Sequence, residues 1–167
     1  GLYAELIQNR SFEYYPVAGY TDLQALDAWS VLNQGGAQVH LSVESNRPLN
    51  SKNTRYLKME VLDAGSKAGI SNSGFDGIPI KSGALYDFSV YLRKGSDFDG
   101  WIAVQLAFPN GVVAASDTIK DLGDDWEKFS LVLKSNVNIP AAQLLLTTNS
   151  TGLLYADMVS LFPQETF

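Results

Sequence analysis

The sequence predicts an all-β protein, folded as an antiparallel sandwich or barrel. Short segments alternate between apolar and polar residues, which is typical of strands buried on one face. Glycine-rich turns separate these segments at short intervals along nearly the whole chain. Evidence for helix is confined to two short stretches, residues 1–8 and 22–29. With 167 residues the chain is long enough for one domain with its own core, and we find no internal linker.

The alternation predicts six strands and assigns a buried face to most of them. The segments are 39–44, 56–62, 86–93, 101–108, 126–133 and 153–161. The residues expected to face the core are Leu57, Met59, Val61, Tyr86, Phe88, Val90, Leu92, Ile102, Val104, Leu106, Phe108, Phe129, Leu131 and Leu133. The step from Pro109 through Asn110 to Gly111 predicts a hairpin, because Asn-Gly accepts positive φ at low cost.

Composition excludes several classes of function. The chain has no cysteine, so disulfides, thiolate nucleophiles and thiolate metal sites are absent. It has one histidine, His40, and therefore no multi-histidine metal centre. A net charge of -6 and a pI of about 4.6 disfavour binding to nucleic acid or to anionic membranes. Charged residues make up 18% and aromatic residues 11%, which suits an uncharged partner such as a sugar.

No catalytic constellation is evident, so we expect this chain by itself not to be an enzyme and assign it no catalytic residue. The glutamates do not form a recognisable acid–nucleophile pair. Asp121, Asp124 and Asp125 lack the spacing of a calcium-binding helix–loop–helix motif and are interpreted as a surface turn. His40 is interpreted as an exposed or hydrogen-bonded strand residue. Phosphate-binding loops and hydrolase nucleophile motifs are also absent.

The strongest candidate for binding is a surface shared by two strands. If segments 86–93 and 101–108 pair across the turn at 95–100, their outward residues become neighbours. Small alanines beside aromatic and hydrogen-bonding side chains would form a shallow groove suited to the apolar face and the hydroxyls of a sugar. The predicted sugar-binding residues are Trp101, Gln105, Tyr91, Asp87 and Arg93. The alternative is an ordinary solvent face with one aromatic cross-strand pair.

Four stretches in the chain resemble carbohydrate-binding modules of the family 4, 9 and 22 type. These are 6–13 (LIQNRSFE), 86–94 (YDFSVYLRK), 126–130 (WEKFS) and 152–161 (GLLYADMVSL). They occur in the same order as in those modules and span almost the whole chain. The resemblance implies a β-sandwich jelly roll of the galactose-binding-domain-like kind.

The two ends resemble a narrower group, the α-L-arabinofuranosidases of glycoside hydrolase family 51. Residues 1–13 (GLYAELIQNRSFE), residues 157–163 (DMVSLFP) and the final Thr166-Phe167 are similar to stretches that flank an inserted domain in those enzymes. The resemblance implies a single carbohydrate-binding-like domain over 1–167, with short stubs of a catalytic barrel at about 1–8 and 162–167. The family's catalytic glutamates would lie in that barrel, beyond this chain. We find no signal-peptide pattern and expect a fragment of a larger, extracellular or periplasmic protein.

The resemblance also implies a structural Ca²⁺, because acids of the first and last strands hold one in many such modules. Glu13 and Asp157 match those positions, and the stretch Ala156-Asp157-Met158 stands where such modules often have two acidic residues. Any bound cation would be a hard one held by oxygens.

Three functions stay open from the sequence. The first is a non-catalytic domain that binds polysaccharide or oligosaccharide beside the catalytic barrel, with neither nucleic acid nor membrane as a partner. The second is a purely structural domain that braces the same enzyme and has no sugar affinity. The third, which lacks a supporting motif, is a self-sufficient hydrolase.

Overall fold

A computed structural model describes residues 5–13 and 26–165, and these form strands, turns and loops without a helix. The strands are β1 (Trp29–Gln34), β2 (Gln38–Glu44), β3 (Tyr56–Asp63), β4 (Lys67–Asn72), β5 (Ile78–Ile80), β6 (Leu85–Lys94), β7 (Ile102–Ala107), β8 (Val113–Ile119), β9 (Glu127–Lys134), β10 (Ile139–Thr148) and β11 (Gly152–Pro163). Within this part of the chain, no helix is long and apolar enough to cross a membrane.

The strands form two antiparallel sheets with one core between them. Sheet one has the order β1-β4-β10-β7-β8, with the short β5 paired to β10. Sheet two has the order β2-β3-β11-β6-β9. The two central strands, β10 and β11, follow each other in the chain and lie in different sheets. The predicted all-β antiparallel sandwich is therefore confirmed.

The inward faces agree with the alternation for most of the predicted core. The fully buried members are Leu57, Met59, Val61, Tyr86, Phe88, Val90, Leu92, Ile102, Val104, Leu106 and Leu133. Phe108, Phe129 and Leu131 are half-buried and pack against the core. The two β9 residues are only half-buried because β9 is an edge strand, with a neighbour on one side.

Some strands carry no alternating pattern and were not among the six predicted. Leu144, Leu145 and Leu146 of β10 are all buried, since this central strand is covered on both faces. The helical turns suggested for 22–29 are absent where the structure describes that stretch: residues 26–28 form a turn and Trp29 begins β1. Residues 22–25 of that stretch, and residues 1–4 of the other, lie outside the described residues.

The predicted hairpin at Pro109–Gly111 is confirmed. β7 and β8 pair antiparallel across it, with Ile102 opposite Ile119. The Phe108 N–H donates to the Val112 carbonyl at 2.8 Å, and the Gly111 N–H donates to the Phe108 carbonyl at 2.8 Å. Gly111, with φ of 92°, carries the positive φ of the turn.

The expected pairing of segments 86–93 and 101–108 is wrong. β6 lies in sheet two, between β11 and β9, whereas β7 lies in sheet one, between β10 and β8. The connection between them crosses from one sheet to the other, and its Phe98 is 1% exposed. Buried Phe98 anchors this crossing in the core, so the segment 95–101 is not a tight turn between neighbouring strands.

The first described segment completes sheet two. The Leu6 N–H donates to the Leu161 carbonyl at 3.0 Å, and the Val159 N–H donates to the Arg10 carbonyl at 2.9 Å. Residues 6–10 thus lie beside the last part of β11, beyond the point where β3 stops pairing with it. Ile7 is buried in the core, so this segment packs as part of the sandwich.

Close packing of β4 against β10 predicts a severe effect of one substitution. A Cβ added at Gly69 would lie 1.9 Å from the Leu146 carbonyl oxygen, which belongs to the backbone of a central strand. We expect Gly69→Ala to lower the free energy of unfolding by about 2–3 kcal/mol in urea denaturation. Gly123→Ala is the matched control, because a Cβ there has open space around it. Equal stability of the two variants would contradict this packing.

Candidate functional site

The cavity beside Trp101 lies on the outer face of sheet one. Because Ile102, Val104 and Leu106 face the core, the alternate residues of β7 face outward. Trp101 precedes this strand and is half-buried. The cavity has a volume of about 250 Å³ and is lined by Gly65, Ser66, Lys67, Trp101, Ala103, Gln105, Val113, Thr147, Thr148 and Asn149. We call it the sheet-one cleft.

The strand register explains why the floor of this cleft is shallow. One row of outward residues runs Gly69, Thr147, Ala103 and Thr118 across four neighbouring strands. The side chains in this row are short, so a flat ligand could approach the sheet closely. Trp101, two residues before Ala103 in the chain, stands beside this row as an aromatic wall.

Gln105 supplies an unused hydrogen-bonding group in the cleft. Its Nε2 donates to the hydroxyl of Ser116 on β8 at 3.4 Å. Its Oε1 is buried and has no hydrogen-bond partner within the described chain. A buried acceptor left unpaired is unfavourable, and a ligand hydroxyl donating to it would relieve that penalty.

Trp101 also borders a second cavity, of about 470 Å³, on the side of the β6–β7 connection. The other lining residues are Lys94, Phe98, Asp99, Gly100, Lys120, Asp121 and Leu122. Its rim carries charges of both signs. The indole therefore separates two open spaces, and an aromatic ring so placed offers stacking surface to a ligand.

The other three predicted sugar-binding residues lie on sheet two, so the single groove expected from the sequence is not formed. Asp87 and Tyr91 are on the outer face of β6, and Asp87 accepts a hydrogen bond from Gln164 Nε2 at 2.8 Å. Arg93, expected to be exposed, is 6% exposed. The alternation placed each side chain on the correct outer face, but these faces belong to opposite sides of the sandwich.

Arg93 is buried because three aromatic rings enclose it. Its guanidinium carbon lies 3.9 Å from the ring centroid of Tyr155, 5.0 Å from Trp126 and 5.1 Å from Tyr56. Its Nη2 donates to the Tyr56 hydroxyl at 3.1 Å. These distances are those of cation–π contacts. We call Arg93 with these three rings the arginine cage.

The loops on either side close the cage. The Trp126 indole N–H donates to the Arg47 carbonyl at 2.9 Å, and the Arg47 N–H donates to the Tyr56 hydroxyl at 3.2 Å. Arg47 also forms an ion pair with Asp125. Sequence reasoning missed this cluster because its members come from β3, β6, β11 and a loop, and the neighbour order of strands is not encoded in local alternation.

The carboxylate of Glu13 interacts electrostatically with Asp157, the residue that the resemblance pairs with it. Asp157 on β11 is fully buried; its Oδ1 accepts from the Met158 N–H at 2.8 Å, while its Oδ2 has no partner within the described chain. Glu13 Oε1 accepts from the Arg55 N–H at 2.6 Å. Burial raises the pKa of Asp157 from 3.8 to about 8; the Met158 N–H lowers it, the Glu13 carboxylate raises it and the Arg10 guanidinium lowers it.

This pair fits a hard cation in its chemistry. A buried carboxylate oxygen without a partner, near a second carboxylate, is a favourable oxygen ligand for Ca²⁺. Within the described residues no three acidic or histidine side chains cluster tightly enough to hold a metal by themselves. Further oxygens would therefore have to come from backbone carbonyls or water.

Comparison with known proteins identifies relatives over the full length of the chain. No family model matches it. The chain is 35% identical over 168 residues to an extracellular exo-α-L-arabinofuranosidase of Streptomyces chartreusis, and 32% identical over 177 residues to α-L-arabinofuranosidase 2 of Arabidopsis thaliana. Each alignment covers 100% of this chain, which spans only 18% and 25% of the length of these relatives.

Solved structures match the fold. An arabinose-bound MgGH51 α-L-arabinofuranosidase superimposes with a TM-score of 0.82 at 27% identity, over 99% of this chain and 27% of the other. A CBM4 structure matches with a TM-score of 0.65 at 18% identity, over 95% and 99% of the two chains. The CBM22-1 xylan-binding domain from Paenibacillus barcinonensis Xyn10C matches with a TM-score of 0.61 at 13% identity, over 99% and 97%.

The two comparisons agree on the part of a protein that this chain resembles. The relatives in sequence are several times longer, whereas the CBM4 and CBM22 structures are single domains of matching extent. The chain is therefore similar, over its whole length, to one domain-sized region of α-L-arabinofuranosidases, and its fold is the β-sandwich jelly roll of carbohydrate-binding modules.

Proposed function

We propose that this chain is a non-catalytic, carbohydrate-binding accessory domain of a secreted α-L-arabinofuranosidase that acts on arabinose-containing plant polysaccharide. The observation that carries the proposal is the sheet-one cleft, where the stacking surface of Trp101 and the unpaired acceptor of Gln105 line the same cavity. The similarity to arabinofuranosidases supports the enzyme class, and the name of the Streptomyces relative supports secretion.

The cleft would bind a sugar by stacking and hydrogen bonding. The apolar face of a sugar ring would pack on the Trp101 indole while a ring hydroxyl donates to Gln105 Oε1. Lys67 and Asn149 at the rim would meet further hydroxyls. One stacked ring contributes on the order of 1–3 kcal/mol, by analogy with base–aromatic stacking, so binding would be in the micromolar to millimolar range.

Weak binding would suffice if the domain is tethered to a catalytic barrel. A tethered module raises the concentration of polymer near the active site, so even weak binding keeps the polymer close to the catalytic residues of the barrel. The barrel is thus the second partner that we propose, after the polysaccharide.

The alternative is a structural domain without sugar affinity, and the arginine cage favours it. The cage covers part of the outer face of sheet two with the loops at Arg47 and Trp126. Such coverage stabilises the domain but takes no part in binding a ligand. In this alternative the sheet-one cleft would be an ordinary surface depression.

Truncation of Trp101 separates the two functions. We expect Trp101→Ala to weaken strongly the retention of the chain in affinity electrophoresis through arabinan or arabinoxylan gels, because the stacking surface of the sheet-one cleft is lost. Its thermal unfolding should shift little, since Trp101 is half-buried and lies outside the core cluster. Retention of the wild type should change little between low and high salt, because the Trp101 and Gln105 contacts involve no ion pair.

Trp29→Phe is the matched control for that experiment. Trp29 is 7% exposed and stacks on Phe12 in the core, so the change should lower stability and leave retention intact. Failure of the wild-type chain to be retained by any arabinose- or xylose-containing polymer would favour the structural alternative. Release of nitrophenol from a nitrophenyl arabinoside by the isolated chain would contradict its non-catalytic role.

We also propose that Glu13 and Asp157 hold a structural Ca²⁺ when the ion is available. The bound cation would supply positive charge to two neighbouring carboxylates and so remove the penalty of burying the Asp157 charge. Its role would be to fix the N-terminal segment against β11, away from the sheet-one cleft.

A further inference from the structure

Three serines form a row across the outer face of sheet two. Ser160 on β11 lies opposite Ser89 on β6, and Ser89 lies opposite Ser130 on β9. The row forms the floor of a cavity of about 490 Å³. The three strands span about 10 Å at their usual spacing of roughly 4.8 Å.

Larger side chains stand on both sides of this floor. On one side, Phe162, Asp87 and Val132 form the next row across the same strands. On the other side lies Lys128, four residues from Val132 along β9, with Arg10 also lining the cavity. The two flanking rows are about 13 Å apart, at roughly 3.3 Å per residue. We call this space the serine groove.

Several polar groups in the serine groove are unused by the protein. The hydroxyls of Ser89 and Ser130 and the ammonium of Lys128 make no side-chain hydrogen bond or ion pair with any described residue. Ser160 Oγ donates to Glu5 Oε1 at 2.6 Å, which leaves its lone pairs free to accept. Val132 is 48% exposed, so the groove also offers uncovered apolar surface.

The charges at the two ends decide the class of ligand. One end carries the ammonium of Lys128 and the guanidinium of Arg10, which is ion-paired with Glu5 at 3.3 Å, and the other end carries the acceptor Asp87. A cation would be repelled at the first end and an anion at the second. A neutral polyol fits both ends, because each hydroxyl both donates and accepts. Phe162 and Val132 provide the apolar contact that the C–H face of a sugar ring requires.

We propose that the serine groove is a second binding site, which takes a neutral mono- or disaccharide unit on the sheet opposite the sheet-one cleft. The dimensions above match one or two sugar rings. This inference rests on the proposed carbohydrate-binding function for the class of ligand, but not on the sheet-one cleft for its geometry. With a site on each sheet, one domain would contact two segments of polysaccharide.

The test is an NMR titration of the ¹⁵N-labelled chain with two neutral probes, arabinotriose and xylotetraose, up to about 50 mM. Two matched variants block one face each. Ser130→Leu fills the serine groove from edge strand β9, and Ser116→Leu fills the sheet-one face from edge strand β8. Both positions are exposed, so both variants should fold.

In the wild type, the amides of Ser89, Ser130 and Lys128 should shift on titration with at least one neutral probe. Ser130→Leu should weaken that binding at least about tenfold and leave the shifts around Gln105 unchanged; Ser116→Leu should do the reverse. Digalacturonate should bind the serine groove more weakly than the neutral probes, because its carboxylates meet Asp87.

Each contrary result has a distinct meaning. Shifts confined to the sheet-one cleft would overturn the second site and leave the proposed function standing. Shifts confined to the serine groove would support the second site and overturn the sheet-one cleft. Absence of shifts at both faces would overturn both proposals, and tighter binding of digalacturonate would overturn the neutral class of ligand.

Discussion

In the presence of a chelator, the stability of this domain should fall as the pH rises from about 4 to about 8. The pKa of Asp157 is raised from 3.8 to about 8 by burial, so the folded state keeps a proton there that the unfolded state has lost. Between these pH values the unfolded state binds fewer protons, and the free energy of unfolding therefore decreases with pH. A tenfold difference in the acid dissociation constant of Asp157 between the folded and unfolded states corresponds to about 1.4 kcal/mol of stability. The free energy of unfolding therefore falls by on the order of 5 kcal/mol in total.

Asp157→Asn isolates this contribution from the other carboxyl groups. The amide keeps the acceptor for the Met158 N–H but does not titrate. We expect the variant to lose the downward slope and, at pH 7.5 without metal, to be more stable than the wild type in urea unfolding. Asp117→Asn, at an exposed position on β8, is the control and should follow the wild-type curve. Parallel curves for Asp157→Asn and the wild type would refute the assignment.

Calcium should reverse the effect if Glu13 and Asp157 hold it. A cation bound only to the folded state adds RT ln(1 + [L]/Kd) to the stability, so millimolar Ca²⁺ should raise the melting temperature at pH 7.5. The rise should vanish in Asp157→Asn. A wild-type melting temperature that is insensitive to both Ca²⁺ and chelator would argue against a structural metal.

The second large effect is expected at the arginine cage. Arg93→Ala should lower the free energy of unfolding by about 3–4 kcal/mol, because it removes contacts with three rings and a hydrogen bond to Tyr56 from a buried site. Arg93→Lys should recover less than half of the loss, since an ammonium lacks the planar surface that stacks on the rings. Near-ultraviolet circular dichroism should report the altered packing of Trp126.

Arg47→Ala provides the comparison for that substitution. The Arg47 side chain is 52% exposed and forms a surface ion pair with Asp125, which contributes about 1 kcal/mol or less. Equal destabilisation by Arg93→Ala and Arg47→Ala would show that the cage adds nothing beyond surface packing. Sugar retention should survive in Arg93→Ala molecules that remain folded, because the cage lies on the sheet opposite Trp101.

The strands could be predicted where burial follows local alternation. Met59 and Val61, or Val104 and Leu106, indicate the buried face of their strands because one side meets the core and the other meets solvent. Leu144–Leu146 give no such signal, because a central strand is covered on both sides. The sequence pattern therefore predicted six of the strands and missed β10 at the centre of sheet one, together with β1, β4, β5 and β8.

Predicting the candidate sites also required knowing which strands are neighbours in each sheet, and the alternation of apolar and polar residues does not give this. Trp101 and Gln105 share a strand segment, so their common face followed from period two. Tyr91 and Arg93 also share a face, but which strand stands beside β6 is decided by contacts between residues far apart in the chain. The cage and the serine groove arise from that neighbour order, with β11 rather than β7 next to β6.

The pairing of residues 6–10 with β11 has a consequence for the order in which the protein forms during synthesis. β11 lies between β3 and β6 and also receives the N-terminal segment, so one late strand joins three earlier pieces. Until residue 161 leaves the ribosome, the edges of β3 and β6 have no partner, and the first segment has nowhere to dock. Until then the nascent chain must keep these two strand edges unpaired, a state that invites pairing between chains. Sheet two is therefore completed in a single late step.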